Sequence, residues 1–379
     1  IERIISRDAG AFDVYFNHVM ERNSILDPAV YYVNKGIGSP VQVDLIDSLI
    51  RQVRLTFDMD LSAGTVYQLS VELPVLNCVG REIEQGFSIP FGIHSEPLRE
   101  DLVINEVLFN PAGDGVDFVE IYNRSEKIIS LADLLLGEED VDEFGEIDSV
   151  YKSVMEDDYL LFPGEYEVLT TNPTKVTDQY FTSNSSAFTR MSSFPRYANE
   201  TGKVLLSRTD KSILDAFNYH EDMHHPLLNS VEGVSLERLH YDRQASDPTN
   251  WHSASSEVGF ATPGYKNSQF SETGGEGGKV WLEPEVFSPD NDGYYDNLNI
   301  NYIFQSGGNT ATIMVYDAKG RLVRQLLNNE ILGTEGTVSW DGRTDDNMKA
   351  GVGIYIVLFE AYDLNGNVKK FKKTAVVGK

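Results

Sequence analysis

The chain has 379 residues, a formal charge of −28, 41% hydrophobic and 11% aromatic residues. That much apolar material in that length excludes a disordered tail and a single small domain. The acidity excludes a phosphate-backbone partner, which needs Lys and Arg to release counterions, so no nucleic acid is expected.

The first residues, IERIISRDAGAFDVYF, already alternate like a strand. No secretion signal is visible, and residue 1 reads as a processing or cloning boundary that says nothing about export. Short runs follow, bounded by Gly, Pro, Asn and Asp: FDVYF (12–16), QVRLTF (52–57) and VYQLSVEL (66–73). This is the pattern of half-buried strands. Gly64 supplies a turn before the strand of Tyr67, and Gly80 one before the last strand of this stretch. Cys78, the lone cysteine, rules out a disulfide framework and a multi-cysteine zinc site and is expected to be a small buried apolar residue. Pro97 and the charges of HSEPLRED (94–101) mark a boundary near residue 95.

Beyond it come LVINEVLF (102–109) and FVEIYN (118–123). Asn105 and Asn123 are expected to bond local backbone and set strand ends. Glu120 sits among apolar neighbours and is expected to pair with a cation such as Arg238. The acidic run GEEDVDEFGEID (137–148) lacks the ligand spacing of a calcium loop and reads as a solvated face. His220, Glu221 and His224 spell H-E-x-x-H, the zinc-hydrolase signature, which requires a helix to set both histidines on one side. Here SILDAFNY before it alternates like a strand, and His225-Pro226 follows at once. The bland alternative is a loop of hydrogen-bonded histidines; a non-catalytic metal site on His220, His224 and His225 lies between. Trp251 is expected to plug a core with its indole N–H bonded.

SETGGEGGK (271–279) reads as a flexible linker. After it, VFSPDNDGYYDNLNINY (286–302) and ATIMVYD (311–317) lead to IYIVLFEAYD (354–363). Asp290, Asp292 and Asp296 resemble half of a calcium loop but have no glutamate at the twelfth position; a capped turn is the alternative. No cofactor other than calcium is expected. Asn365-Gly366 suits a type I′ hairpin, Lys319-Gly320 also divides two strands, and Trp340-Asp341-Gly342 marks a strand end. The charge is uneven: residues 1–95 carry −5 and 279–379 carry −2, leaving −21 for the middle. The expected architecture is all-β: three Ig-like sandwiches in tandem over 1–95, 96–270 and 279–379.

Three resemblances attach to these motifs. Residues 12–83, with LTF and AGTVYQLSV, resemble bacterial Ig-like domains of surface-layer and other envelope proteins. The middle segment resembles a bacterial lamin-tail domain: INEV, DFVEIYN, then SLER, DPTNWH and TPGYKN within 235–267. Insertions are expected near 138–158 and 174–200. The last segment, with FSPDNDG, VYDAKGRLV and WDG, resembles the Ig-like domain of flagellar hook-capping proteins and the C-terminal domain of type IX secretion cargo. Asp345-Asp346-Asn347-Met348 departs from it where relatives have glycine. These resemblances imply a non-enzymatic exported scaffold or adhesion protein, extracellular or in the envelope of a Gram-negative bacterium, with a protein or glycan ligand. One alternative is a type IX cargo whose last domain is a sorting signal met by the secretion machinery. A zinc-dependent hydrolase fragment is another. No transmembrane segment is expected.

Overall fold

The computed structural model describes residues 1–83, 85–141, 147–271 and 278–379, with side chains outside 140–148. Strand accounts for 43% of the residues and helix for 7%, and the chain is all-β as its patterning predicts. Among the described residues no helix is long and apolar enough to cross a membrane.

Near the N-terminus a four-stranded sheet in the order Arg3–Ser6, Ala11–Tyr15, Gln52–Thr56, Gln42–Leu45 and a three-stranded sheet of Tyr31–Val33, Tyr67–Val71 and Ser88–Phe91 enclose one core. Alternation does the sorting: Val53 and Leu55 turn inward from QVRLT, and Leu69 and Val71 from YQLSV. Asp13, between inward-facing Phe12 and Val14, is nevertheless fully buried, covered by Arg7 (2.5 Å) and Arg54 (2.7 Å). Asp13→Ala is expected to lose on the order of 2 kcal/mol in urea unfolding, because two guanidinium groups lose a buried acceptor. Gly64 and Gly80 adopt positive φ at the expected turns. Cys78 corrects the sequence reading: it is exposed, at the tip of the hairpin joining Val75–Leu76 to Glu82–Ile83, where its backbone N–H donates to Val19 O.

The middle of the chain builds a six-stranded sheet in the order Phe188–Arg190, Tyr166–Thr170, Phe118–Asn123, Leu102–Leu108, Leu236–Arg238, Trp251–Ser253. It faces a four-stranded sheet in the order Ile147–Ser153, Leu134–Val141, Thr201–Arg208, Ile213–His220. Ile104, Val119, Ile121, Leu136, Leu206 and Phe217 fill the space between. Trp251 stacks on Phe217 (3.6 Å between centroids) and its indole N–H donates to Ala245 O at 2.9 Å, as its sequence context suggested. Strand Leu102–Leu108 is buried at every position, so both of its faces are covered. Of the acidic run at 137–148, residues 142–146 lie outside the described residues.

The C-terminal part pairs a three-stranded sheet (Lys279–Glu283, Leu298–Ile303, Glu335–Trp340) with a five-stranded one in the order Val286–Phe287, Val368–Val377, Gly353–Tyr362, Asn309–Asp317, Leu322–Leu332. Trp340 ends its strand, fully buried, with its indole N–H on Arg343 O. The hairpin at Asn365-Gly366 is not type I′. Gly366 has φ of 77° and Asn365 is not among the positive-φ residues. Asp363 closes the turn by accepting the N–H groups of Asn365 and Asn367, and Asp317 does the same for Lys319 and Arg321. A type I turn followed by a left-handed glycine needs only one positive φ, and an aspartate cap supplies the rest.

The expected linker spans residues 271–279. Residues 272–277 of it lie outside the described residues, but the preceding segment, 255–271, is fastened to the C-terminal sheets. Ser255 Oγ and Ser256 Oγ donate to Ile331 O (2.9 and 3.0 Å), Gln269 Nε2 donates to Leu332 O (3.0 Å), and Thr334 N donates to Ser268 O (2.7 Å). Tyr302 donates its hydroxyl proton to Glu257.

Candidate functional site

The groups with most chemical potential lie under that segment. Glu237, Glu106 and Glu120 stand directly opposite one another on three adjacent strands. All three are fully buried, on the sheet face turned away from the main core. Like charges in register on neighbouring strands repel. No Lys or Arg side chain is hydrogen-bonded to any of the three among the described residues. Each carboxyl is raised above its ordinary range, first by burial; the neighbouring glutamate adds to this for Glu106 and Glu120.

The segment 260–270 explains why the row is tolerated. Glu106 accepts Ser235 Oγ and Thr262 N (2.9 Å). Glu120 accepts Gly264 N and Asn105 Nδ2 (2.5 and 2.6 Å). Glu237 accepts Ser268 Oγ and Gln269 N, both at 2.8 Å. Thr262 Oγ1 lies 2.7 Å from Glu237 and 3.3 Å from Glu106. One hydroxyl proton serves only one of them, so the second contact closes when Glu106 carries a proton and donates it. Asn267 completes the clasp by donating to Asn105 O (2.9 Å) and Arg238 O (3.0 Å). Gly264 is required twice over: its φ is 87°, and a Cβ there would lie 2.8 Å from Thr182 Oγ1.

Two sequence expectations fall here. Glu120 does not pair with Arg238. Arg238 reaches across the sandwich to Asp215 (2.6 Å), whose carboxylate also accepts Ile104 N (2.9 Å), and so ties the two sheets together. Asn105 does not end a strand; it occupies a bulge within one, between Ile104 and Glu106. Asn123 does end its strand, donating to Lys127 O and Leu161 O. The missed signal was the repetition of a lone glutamate next to an apolar residue in three strand-forming stretches, INEV, FVEI and SLER.

The histidines do not converge. His220 is the last residue of a strand, and Glu221–Met223 is a single 3-10 turn, so the helix that H-E-x-x-H needs is absent. His220 Nδ1 accepts Asp222 N (3.1 Å) and His225 Nδ1 accepts Leu227 N (3.2 Å), each capping local backbone. His224 is buried against Phe109, with Nδ1 and Ser253 Oγ 3.0 Å apart. Among the described residues these three do not form a metal-capable group; Asp290, Asp292 and Asp296 do, with ligand atoms within 4.8 Å of one another. Those carboxylates also accept N–H groups of their own loop: Asp296 from Asn291 and Gly293, Asp290 from Asp292, and Asp292 from Tyr294.

His252 was not foreseen. It packs at the seam, close enough to Gly308 that a Cβ there would meet its Nε2 at 2.9 Å. Burial lowers the pKa of both His224 and His252 to about 4, helped for His252 by His225 and Arg243. A base whose pKa falls on folding stabilises the protein above its unfolded value, near 6.5, and that stability is lost as pH falls toward 4. Melting temperature is therefore expected to drop between pH 6.5 and 4, and less steeply in His252→Gln, as differential scanning fluorimetry would show.

No known family matches the sequence, and no curated protein does. Several solved structures share stretches of it. The N-terminal part of the bacterial S-layer protein SbsC is 14% identical over 44% of this chain and 43% of its own, with a TM-score of 0.21. A DUF4876 family protein from Bacteroides thetaiotaomicron is 14% identical over 67% of this chain and 98% of its own (TM-score 0.29). PorZ, a surface component of the type IX secretion system of Porphyromonas gingivalis, is 13% identical over 99% of this chain and 51% of its own (TM-score 0.22). The chain thus spans about half or less of the SbsC fragment and of PorZ. At these scores the likenesses carry no inference about activity.

Proposed function

We propose that the chain is a non-enzymatic binding scaffold of a bacterial cell surface or envelope, built from three β-sandwich modules with a lamin-tail-like one in the middle. The observation that carries this is the use of the motif residues. Those that stand out in the middle segment (Asn105, Glu106, Glu120, Glu237, Thr262, Gly264 and Asn267) are spent on holding one segment of chain onto a sheet. Their polar atoms face one another rather than a cleft. The zinc-hydrolase alternative has no supporting arrangement at His220, His224 and His225.

The reading is tested by incubating the purified chain with cell-envelope fractions and a glycan array, beside peptidase and esterase assays with added zinc. Saturable binding without zinc-stimulated turnover is expected. Turnover abolished by His224→Ala would overturn the proposal.

Asp290, Asp292 and Asp296 are the residues that would hold calcium in an extracellular role, with the weak affinity of surface modules. Millimolar calcium is expected to raise the melting temperature of the wild type by a few degrees and to leave Asp292→Ala unchanged. The charge step from −21 in the middle to −2 after residue 279 supports a second role, in which the last module meets the export apparatus as a type IX sorting signal. On that reading, cells making the chain without residues 279–379 retain it inside, as fractionation would show.

A further inference from the structure

The outer face of the five-stranded C-terminal sheet carries an apolar strip beside polar residues such as Thr374 and Gln325. Strand Gly353–Tyr362 sends Tyr355, Val357 and Phe359 into the core. By alternation it points Ile354, Ile356 and Leu358 outward. Cross-strand register assembles these into a patch. Val286, Val376 and Ile354 form one row; Ile356, Tyr316 and Leu322 the next; Leu358 and Met314 a third. Val286, Ile354 and Leu322 are 58%, 55% and 49% exposed. An antiparallel sheet open to water on one side ordinarily alternates apolar with polar. A contiguous exposed apolar strip of this kind marks a contact site.

Its border indicates what it contacts. Lys372 stands opposite Leu358, and Lys370 opposite Glu360, on the same face. Lys370 is paired with Glu360 at 2.5 Å, whereas Lys372 forms no ion pair among the described residues. Lys372 thus leaves one uncompensated positive charge beside the strip, in a chain of charge −28. A second copy docked through this face would set Lys372 against Lys372, which disfavours self-association through it.

We propose that this face docks an acidic amphipathic segment of a partner protein, its apolar side chains on Ile354, Ile356 and Leu358 and its carboxylates toward Lys370 and Lys372. The proposal uses a different sheet from the glutamate row and does not depend on the scaffold reading.

The test pans random peptides displayed on phage against the full chain, then measures the enriched peptides on Ile354→Ser/Leu358→Ser and on Lys372→Glu. Both sets of changes lie on the exposed face, and thermal melts establish that the variants fold. Peptides combining apolar residues with Asp or Glu are expected. Their affinity should fall roughly tenfold or more on the double variant, from the lost apolar burial, and severalfold on Lys372→Glu, with stronger binding at low salt. Neutral or basic peptides, or binding indifferent to both variants, would overturn the proposal. So would dimerisation in sedimentation velocity, or flotation with phosphatidylglycerol vesicles, if the double variant abolished it, because the face would then belong to a second copy or to lipid.

Discussion

Glu237→Ala is expected to release the 260–270 segment and to destabilise the protein by on the order of 3–5 kcal/mol, since each buried donor left without an acceptor costs about 1–3 kcal/mol and neighbouring losses do not add fully. Two donors are stranded, Ser268 Oγ and Gln269 N, while Thr262 Oγ1 is left with Glu106 alone. The damage should not stop at the middle sheet. Ser268 O accepts Thr334 N, and the Gln269 side chain bonds both Leu332 O and Gly308 N, so the same two residues are held by Glu237 on one side and hold the C-terminal sheets on the other. Hydrogen exchange is therefore expected to accelerate at Gln269 and, in step, at Thr334 and Gly308. Glu237→Gln is expected to restore most of the stability. Its carbonyl can take the Ser268 and Gln269 donors while its amide donates to Thr262 Oγ1. Equal loss in the Gln and Ala variants would mean that charge, not hydrogen bonding, is what Glu237 supplies.

The second large effect is alkaline loosening. Burial raises Glu106, Glu120 and Glu237 above the ordinary carboxyl range, and raises Glu167, which accepts Thr189 Oγ1 elsewhere on the same sheet, to about 8. For an acid whose pKa rises on folding, the stability is fully present below the unfolded value and is lost as pH climbs through the folded one. The window runs from the ordinary carboxyl range to beyond pH 8. Urea unfolding is expected to give a stability at pH 9.5 lower than at pH 6 by on the order of 2 kcal/mol or more. Glu106→Gln should flatten this decline without abolishing it. The amide reproduces the protonated form, donating to Thr262 Oγ1 and accepting Thr262 N, while Glu120, Glu237 and Glu167 still titrate. A slope unchanged in Glu106→Gln would remove the glutamate row as the cause.

Both expectations rest on strongly perturbed acids that are enclosed within a sheet rather than open to a cleft. Perturbed carboxyls are candidates for acid–base chemistry when they line a cleft. Here the perturbing environment is a strip of the protein's own backbone. The same burial that would activate a general acid instead fixes the seam between two sets of sheets.

Period-two alternation in FDVYF, QVRLTF and FVEIYN determined by itself that the chain is β-rich, because side-chain direction along a strand is local geometry. Local chemistry likewise located the glycine turns at 64, 80 and 366 and the strand end at Trp340. Its reach ended where a partner lay far along the chain. Cys78 was expected to be buried because cysteine usually is, but a hairpin tip leaves it in water. Asn365 lacks the positive φ of a type I′ turn because Asp363, two residues earlier, caps a different one. Glu120 was expected to meet Arg238, since a lone buried carboxylate wants a cation. Only the register of Leu102–Leu108 against Phe118–Asn123 and Leu236–Arg238 put three glutamates side by side. Only the return of residues 260–270 over them supplied the N–H groups that replace the cation. Alternation says which face a residue occupies; which residue some 140 positions away completes its hydrogen bonds is decided by tertiary structure, because burial there leaves no water to do it.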